Sequence, residues 1–207
     1  MTRSISVNNI ENPTNLQLEK LEQFVSSHTN GNFFQSLKAF QFFQEVENYQ
    51  PFLFVALEND EIVGSLLVVR MQEGNGLKGY FSRRCIVWGG PLAIDENSVI
   101  YSALLDKLNE IASKTAIYSE FRNFSNQLNN KEIFKQVGFR LNEHLNFIVK
   151  TPSVEEAKAK LSNSKKRQIN KSIKNGAQII EAENIDQIKA FYGILSKLYK
   201  EKVKKPL

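Results

Sequence analysis

Apolar residues recur along this chain with two different periods. After Asn12-Pro13-Thr14, the positions Leu16, Leu18, Leu21, Phe24 and Val25 fall at helical spacing, and the pattern ends near Gly31. A shorter helix is expected after Phe33-Phe34-Gln35-Ser36, running to about Glu47. Residues 51–57 (PFLFVAL) and 62–71 (IVGSLLVVRM) are instead nearly continuous apolar runs, parted by Glu58-Asn59-Asp60-Glu61. That arrangement predicts an antiparallel hairpin of strands buried on both faces. A glycine-rich link from Glu73 to Gly79 leads to a strand over 80–88, closed by Gly89-Gly90-Pro91. The helical period returns over 97–113 with Val99, Ile100, Ala103, Leu104, Leu108 and Ile111, and 116–122 alternates as a strand does. A short helix over about 129–137 stops at Gly138, a helix C-terminal cap, and 139–150 reads as a last strand. Helices flanking a mixed sheet in this order make an α/β sandwich.

Past Thr151-Pro152 the pattern changes. Residues 153–161 and 162–175 read as basic helices broken by Gly176, 177–182 (AQIIEA) as a short strand, and the stretch from about 184 as a helix. Ile188, Phe191, Tyr192, Leu195, Leu198 and Tyr199 lie on one side of that helix. Charge divides at the same place. Residues 1–150 hold 14 Lys/Arg against 16 Asp/Glu, whereas 151–207 hold 13 against 6, so the net charge of +5 belongs to the C-terminal quarter. The expected organisation is a first domain at 1–151 and a basic αβα segment at 152–207 that opens a second, incomplete domain. The αβα segment is too small to bury its own apolar stripe, which predicts self-association through the helix at 184–203 or docking of that helix on the first domain.

Composition narrows the chemistry. No apolar run approaches the roughly 18 residues that cross a bilayer, and no signal-peptide core precedes a cleavage site; both point to a cytoplasmic protein. A single cysteine, Cys85, and two distant histidines, His28 and His144, argue against disulfides, a metal site and a nucleophile–base pair. A CoA-binding loop of the form [QR]-x-x-G-x-[GA] has its nearest counterpart in Met71-Gln72-Glu73-Gly74-Asn75-Gly76, which lacks the first residue and is expected to lead into a strand. Acetyl-CoA is therefore not an expected cofactor, and the loop reads as an interstrand link.

Other positions leave two readings open. The turn Trp88-Gly89-Gly90-Pro91 either lets a ligand approach the backbone or simply needs positive φ. Arg83 and Arg84, on opposite faces of their strand, offer one guanidinium to a cleft or line a solvated edge. Tyr118, Glu120 and Arg122 share one strand face, either as a ligand wall or as a Glu–Arg pair that holds the fold. In the basic helix, Arg167, Lys171 and Lys174 line one face beside Lys165 and Lys166, either to meet phosphates or as a solvated surface.

Five strings together resemble the peptidoglycan interpeptide-bridge aminoacyltransferases, the FemA/FemB/FemX-like family of GNAT-like fold. They are Phe33-Phe34-Gln35-Ser36, Ile86-Val87-Trp88-Gly89-Gly90-Pro91-Leu92, Tyr118-Ser119-Glu120-Phe121-Arg122-Asn123, Val137-Gly138-Phe139 leading into Leu145-Asn146-Phe147-Ile148-Val149, and Ser164-Lys165-Lys166-Arg167-Gln168-Ile169-Asn170-Lys171-Ser172-Ile173-Lys174-Asn175-Gly176. The resemblance implies a GNAT-like first domain, the start of a similar second one, and transfer of an amino acid from aminoacyl-tRNA to an amine of a peptidoglycan precursor. It also implies substrate contacts from Gln35, Ser36, Lys38 and Arg122 and a basic contact from Lys202. The turn and strand readings above add Arg84, Trp88, Gly89 and Gly90 as candidate substrate contacts, and the basic helix adds Lys165, Lys166, Arg167, Lys171 and Lys174 as candidates to meet tRNA or phosphate. Aminoacyl-tRNA would be a co-substrate, no cofactor or metal is implied, and association with the inner membrane surface extends the same resemblance. The chain departs from the family where a Trp and a Lys usually follow Lys38; here Ala39, Phe40, Gln41 and Phe43 stand. No catalytic residue can be named. Two other functions fit the pattern: an acyl-CoA-dependent N-acyltransferase, and a noncatalytic module that docks tRNA or a partner protein.

Overall fold

The computed structural model describes residues 5–10, 14–145 and 149–203, in two compact units, Met1–Asn146 and Phe147–Leu207. In the first unit, strand β1 (Ser6–Asn9) precedes helix α1 (Asn15–Ser27), which Thr14 and Gln17 start with a reciprocal capping box. A 3-10 turn (Phe33–Gln35) leads into α2 (Leu37–Glu45), capped by Ser36. The hairpin follows as β2 (Tyr49–Glu58) and β3 (Glu61–Met71). Asn59 and Asp60 both take positive φ, 51° and 64°, the backbone that a two-residue turn between right-twisted strands demands. Next come the short helix α3 (Gly76–Phe81), β4 (Arg84–Trp88), β5 (Leu92–Ala93), α4 (Ser98–Thr115), β6 (Tyr118–Arg122) and α5 (Lys131–Gln136).

Among the described residues the sheet runs β1-β2-β3-β4-β6, with β5 also paired to β3. All pairs are antiparallel except β4 and β6, which run parallel and are joined through α4, the long crossover that parallel neighbours need. The nearly unbroken apolar runs of β2 and β3 are explained by helices on both faces. Phe54, Ala56, Leu66, Val68, Cys85 and Val87 pack with Ile100, Tyr101, Leu104 and Leu108 of α4. Leu53, Val55, Leu67 and Val69 pack with Leu21 and Val25 of α1 and with Ala39, Phe40 and Phe43 of α2. This is an α/β GNAT-like mixed sheet flanked by helices.

In the second unit Ser153, Ser162 and Asn184 cap α6 (Val154–Ala159), α7 (Asn163–Lys174) and α8 (Ile185–Leu198), and a π turn (Tyr199–Val203) follows. On α8 the side chains of Ile188, Phe191, Tyr192 and Leu198 are exposed.

Several expectations are corrected. Strands β1 and β5 carry no strong apolar signal and arise from pairing with β2 and β3. The strand expected over 80–88 begins only at Arg84, because hydrogen bonds from Ser82 and close packing at Gly79 fold 76–81 into α3. Residues 139–145 form no strand. Phe139 is fixed by its N–H to the carbonyl of Phe134 and by edge contacts with Phe121 and Phe134, after which no described residue of this stretch enters a ladder. The remainder of that expected strand includes 146–148, which lie outside the described residues. Residues 177–182 form no strand either: the second unit has no described strand to pair with, and Ile179 and Ile180 are exposed.

Candidate functional site

β3 has two partners on one edge and a gap between them. Its residues 69–71 pair with β4 and its residues 64–65 with β5, so on this edge, away from β2, the backbone of Leu67 faces no strand. Gln35 fills that gap. Its Oε1 accepts the N–H of Leu67 at 2.8 Å, while its Nε2 donates to the carbonyl of Trp88 at 2.9 Å and, at 3.4 Å, to that of Leu67. At 1% exposure the side-chain amide serves as a piece of sheet backbone. The chain leaves β4 here through Gly89, Gly90 and a cis bond to Pro91. A Cβ on Gly90 would lie 2.8 Å from the Gln35 amide, so the strings around Gln35 and Trp88 are fitted to each other.

The parallel pair β4/β6 ends at the same place. The two strands remain in register to Trp88 opposite Arg122, and the N–H of Gly89 still bonds the carbonyl of Arg122 at 3.0 Å. A ligand can thus meet the C-terminal ends of these strands, the usual binding edge of open α/β sheets, but finds no slot between them. Trp88 stacks on Phe43 at 5.3 Å and on Phe34 at 5.9 Å, and the Arg122 guanidinium lies 5.9 Å from its ring centroid. The Arg122 side chain is half exposed, and its Nε donates to Glu120 Oε1 at 2.8 Å. That hydrogen bond raises its pKa further, so it is a permanent cation. The Glu–Arg pair foreseen on this strand face is formed, and the guanidinium nitrogens left over can meet a carboxylate or phosphate.

Gly89 takes φ +66°, and a Cβ on it would meet Asn32 Nδ2 at 2.4 Å and Phe124 at 2.7 Å. Asn32 holds the turn by donating to the Gly89 carbonyl at 2.8 Å. Asn32, Phe34, Phe43 and Phe124 complete the site, although the sequence does not mark them as site residues. Asn32 has the sequence signal of a helix cap, which it also is, its Oδ1 accepting the N–H of Phe34. Nothing in the sequence reports its reach to residue 89.

The connection from β5 to α4 is acidic and closed. Asp95 and Glu96 both have positive φ, and Asn97 Oδ1 accepts the N–H groups of the second and third residues of α4, Val99 and Ile100. Glu96 accepts from Asn30 Nδ2 at 2.9 Å, Tyr101 Oη at 2.7 Å and Asn130 Nδ2 at 3.2 Å. Burial, then the bond to Glu96, drives the Tyr101 pKa upward, so the phenol remains a donor. His28 is also committed: Nδ1 accepts the Asn30 N–H, which assigns the proton to Nε2 and makes it a donor to Ala93 O. Asn97 thus caps α4, and Asp95 and Glu96 place two carboxylates just ahead of its positive end. Met71-Gln72-Glu73-Gly74-Asn75-Gly76 ends in the six-residue α3 rather than in a strand as expected.

The structure thus gathers Gln35, Trp88, Gly89, Gly90 and Arg122. Ser36 adjoins them as the α2 cap, donating to Phe33 O and accepting from Ala39 N, and Lys38 is exposed in the first turn of α2. Arg84 is not brought to this group. It sits at the other end of β4, about 13 Å away at strand rise, paired with Glu73 at 3.2 Å. Lys165, Arg167, Lys171, Lys174 and Lys202 are exposed and Lys166 partly so; among the described residues none of them is in an ion pair. No group of three or more His, Cys, Asp or Glu among the described residues could hold a metal ion. No helix among them is long and apolar enough to cross a membrane.

No family model and no curated protein matches the sequence. Solved structures do match. A transcriptional regulator from Bacillus halodurans C-125 aligns over 70% of this chain and all of its own, at 18% identity and a TM-score of 0.50. FemX aligns over 65% of this chain at 19% identity and a TM-score of 0.51. The match spans about a third of the FemX chain, 32% of its length. These likenesses concern the fold.

Proposed function

We propose that this chain belongs to an aminoacyl-transfer system in which an amino acid passes from aminoacyl-tRNA to an amine of a peptidoglycan precursor. The observation that carries the reading is the junction of β5 and α4. There the Asn97 side chain already accepts the Val99 and Ile100 N–H groups that a nucleotide-linked pyrophosphate would use, and Asp95 and Glu96 set negative charge just before them, which disfavours an acyl-CoA donor. The fold shared with FemX and the five sequence strings support the same donor class.

The reaction asks little of side-chain acids and bases. The acceptor nitrogen attacks the ester carbonyl carbon, the bond to the ribose oxygen breaks, and a proton passes from the amine to that oxygen. Positioning the amine and stabilising the developing oxyanion supply most of the acceleration. Arg122, fixed over Trp88 and beside the Gly89 backbone, would anchor a carboxylate or phosphate of the acceptor at the sheet end. On α7, Lys165 and Lys166 lie in the N-terminal turn, where the helix dipole is already positive, Arg167 follows at once, and Lys171 and Lys174 continue the basic surface. A polyanion relieves that crowding of positive charge, and the tRNA backbone is the partner proposed for it. Self-association through the exposed Ile188, Phe191 and Leu198 of α8 belongs to the same reading; analytical ultracentrifugation of a Phe191→Glu variant against the parent would reveal it.

The test of donor class is calorimetry with acetyl-CoA beside a transfer assay with labelled aminoacyl-tRNA. No heat with acetyl-CoA and label in the precursor support the proposal. Micromolar acetyl-CoA binding would replace it with an acyl-CoA-dependent transferase.

A further inference from the structure

The excursion between β3 and β4 turns three large apolar side chains outward. Leu77 is 78% exposed, Tyr80 56% and Phe81 69%, all on α3 or at its end. Such a cluster in a floppy loop would mean little, but this one is built. Gln72 Nε2 donates to Gly74 O, Ser82 Oγ accepts the Glu73 N–H at 2.7 Å and donates to Gly79 O at 3.0 Å, and Arg83 Nε bonds Gln72 Oε1 at 3.2 Å. Gly79 packs so tightly that a Cβ would lie 2.4 Å from the Gly74 carbonyl. The rings of Tyr80 and Phe81 meet edge to face at 5.3 Å, and the Arg83 guanidinium lies 5.1 Å from the Tyr80 centroid. The segment is ordered by its own polar groups while its apolar ones remain in water, the reverse of what folding alone would select.

Charge identifies the occupant. Residues 72–84 hold Lys78, Arg83 and Arg84 and a single acid, Glu73, which is already paired with Arg84. Lys78 and Arg83 have no acidic partner among the described residues. Leu, Tyr and Phe side chains that each stand more than half out of the surface, rimmed by unpaired cations, match a bilayer interface. Apolar groups enter the acyl boundary there, a phenol sits at headgroup level and cations meet anionic lipid. A protein groove would instead engage a flatter, larger face.

From these features we infer that α3 is a docking element for an anionic lipid surface, with Leu77, Tyr80 and Phe81 inserting and Lys78 and Arg83 contacting headgroup phosphates. It lies at the end of β4 opposite Trp88 and Arg122 and is independent of the transfer chemistry.

Flotation of the full chain with vesicles of phosphatidylcholine, with and without one-third phosphatidylglycerol, tests this. Binding is expected only to the anionic vesicles. It should fall at least tenfold in Leu77→Ser/Tyr80→Ser/Phe81→Ser, with the unfolding midpoint kept, and several-fold in Lys78→Glu/Arg83→Glu. An environment-sensitive dye on Leu77→Cys, with the buried Cys85 unreactive, should shift to the blue on those vesicles, and keep that shift when Lys166, Arg167 and Lys171 are replaced by Ala. Absence of binding, binding that survives loss of the three apolar side chains, a dye that does not shift, or a cluster that instead mediates self-association without vesicles would each overturn the inference.

Discussion

The side-chain amide of Gln35 pairs with the backbone of Leu67 as a neighbouring strand would, accepting its N–H at 2.8 Å and donating to its carbonyl at 3.4 Å. This one residue bridges the break between β4 and β5, and the same Nε2 also ties down Trp88, so the glycine turn can leave the sheet without stranding buried backbone groups.

Replacing Gln35 with Ala removes three hydrogen bonds at a site closed to water. The expected cost is about 3 kcal/mol, since buried groups left unpaired lose their full solvation. Urea unfolding measures it; a loss below about 1 kcal/mol would mean that the Leu67 and Trp88 backbone groups find other partners.

Gly89→Ala places a Cβ against Phe124 and Asn32 on a backbone with φ +66°. The left-handed conformation alone should cost about 1–2 kcal/mol, and the contact with the Phe124 ring adds to it. Thermal unfolding of Gly89→Ala, alone and with Asn32→Ala, isolates the share of the clash with Asn32 as the relief in the double variant relative to the sum of the single ones.

Arg122 is half exposed, so Arg122→Ala should change stability by less than about 1 kcal/mol. Under the proposed role it lowers kcat/KM for the acceptor by about tenfold or more, equivalent to about 1.4 kcal/mol. Arg122→Lys should not restore it, because a point charge cannot reproduce the planar fork over Trp88.

Burial, against the smaller opposing effects of the Arg70 charge and a hydrogen bond from Ser119, pushes the Cys85 thiol up to about 11 from 9.0. In the unfolded chain the proton leaves earlier. The contribution of this group to stability is therefore whole below pH 9 and is lost as the pH rises towards 11. Native protein at pH 8 should be inert to a thiol reagent and react fully in guanidinium, and Cys85→Ala should flatten the alkaline part of the stability profile.

The long apolar runs, the capped helices and the charge break were legible because each is written locally. The runs at 51–57 and 62–71 could only be strands covered on both faces, and α1 and α2 on one side and α4 on the other supply that cover. Pairing was less legible. β1 and β5 are short and polar or apolar without pattern, and only the edges of β2 and β3 make them strands. Conversely, 139–145 and 177–182 have strand-like composition but no described partner edge. In the site, the strings around Gln35 and Trp88 were visible, while their coupling was not, because the contact spans 53 residues. The face that Arg84 takes on its strand is legible, but not which end of the strand meets the site, and a strand of five residues puts Arg84 and Trp88 at opposite ends.

The most direct test of the central claim is the salt dependence of tRNA binding, followed by fluorescence anisotropy, for the chain and for Lys166→Ala/Arg167→Ala/Lys171→Ala. Tight binding at low salt is predicted, with the slope of log K against log salt shallower by about 2–3 in the variant as three phosphate contacts are lost. Equal slopes in the two proteins, or no tRNA binding at low salt while acetyl-CoA binds, would contradict it.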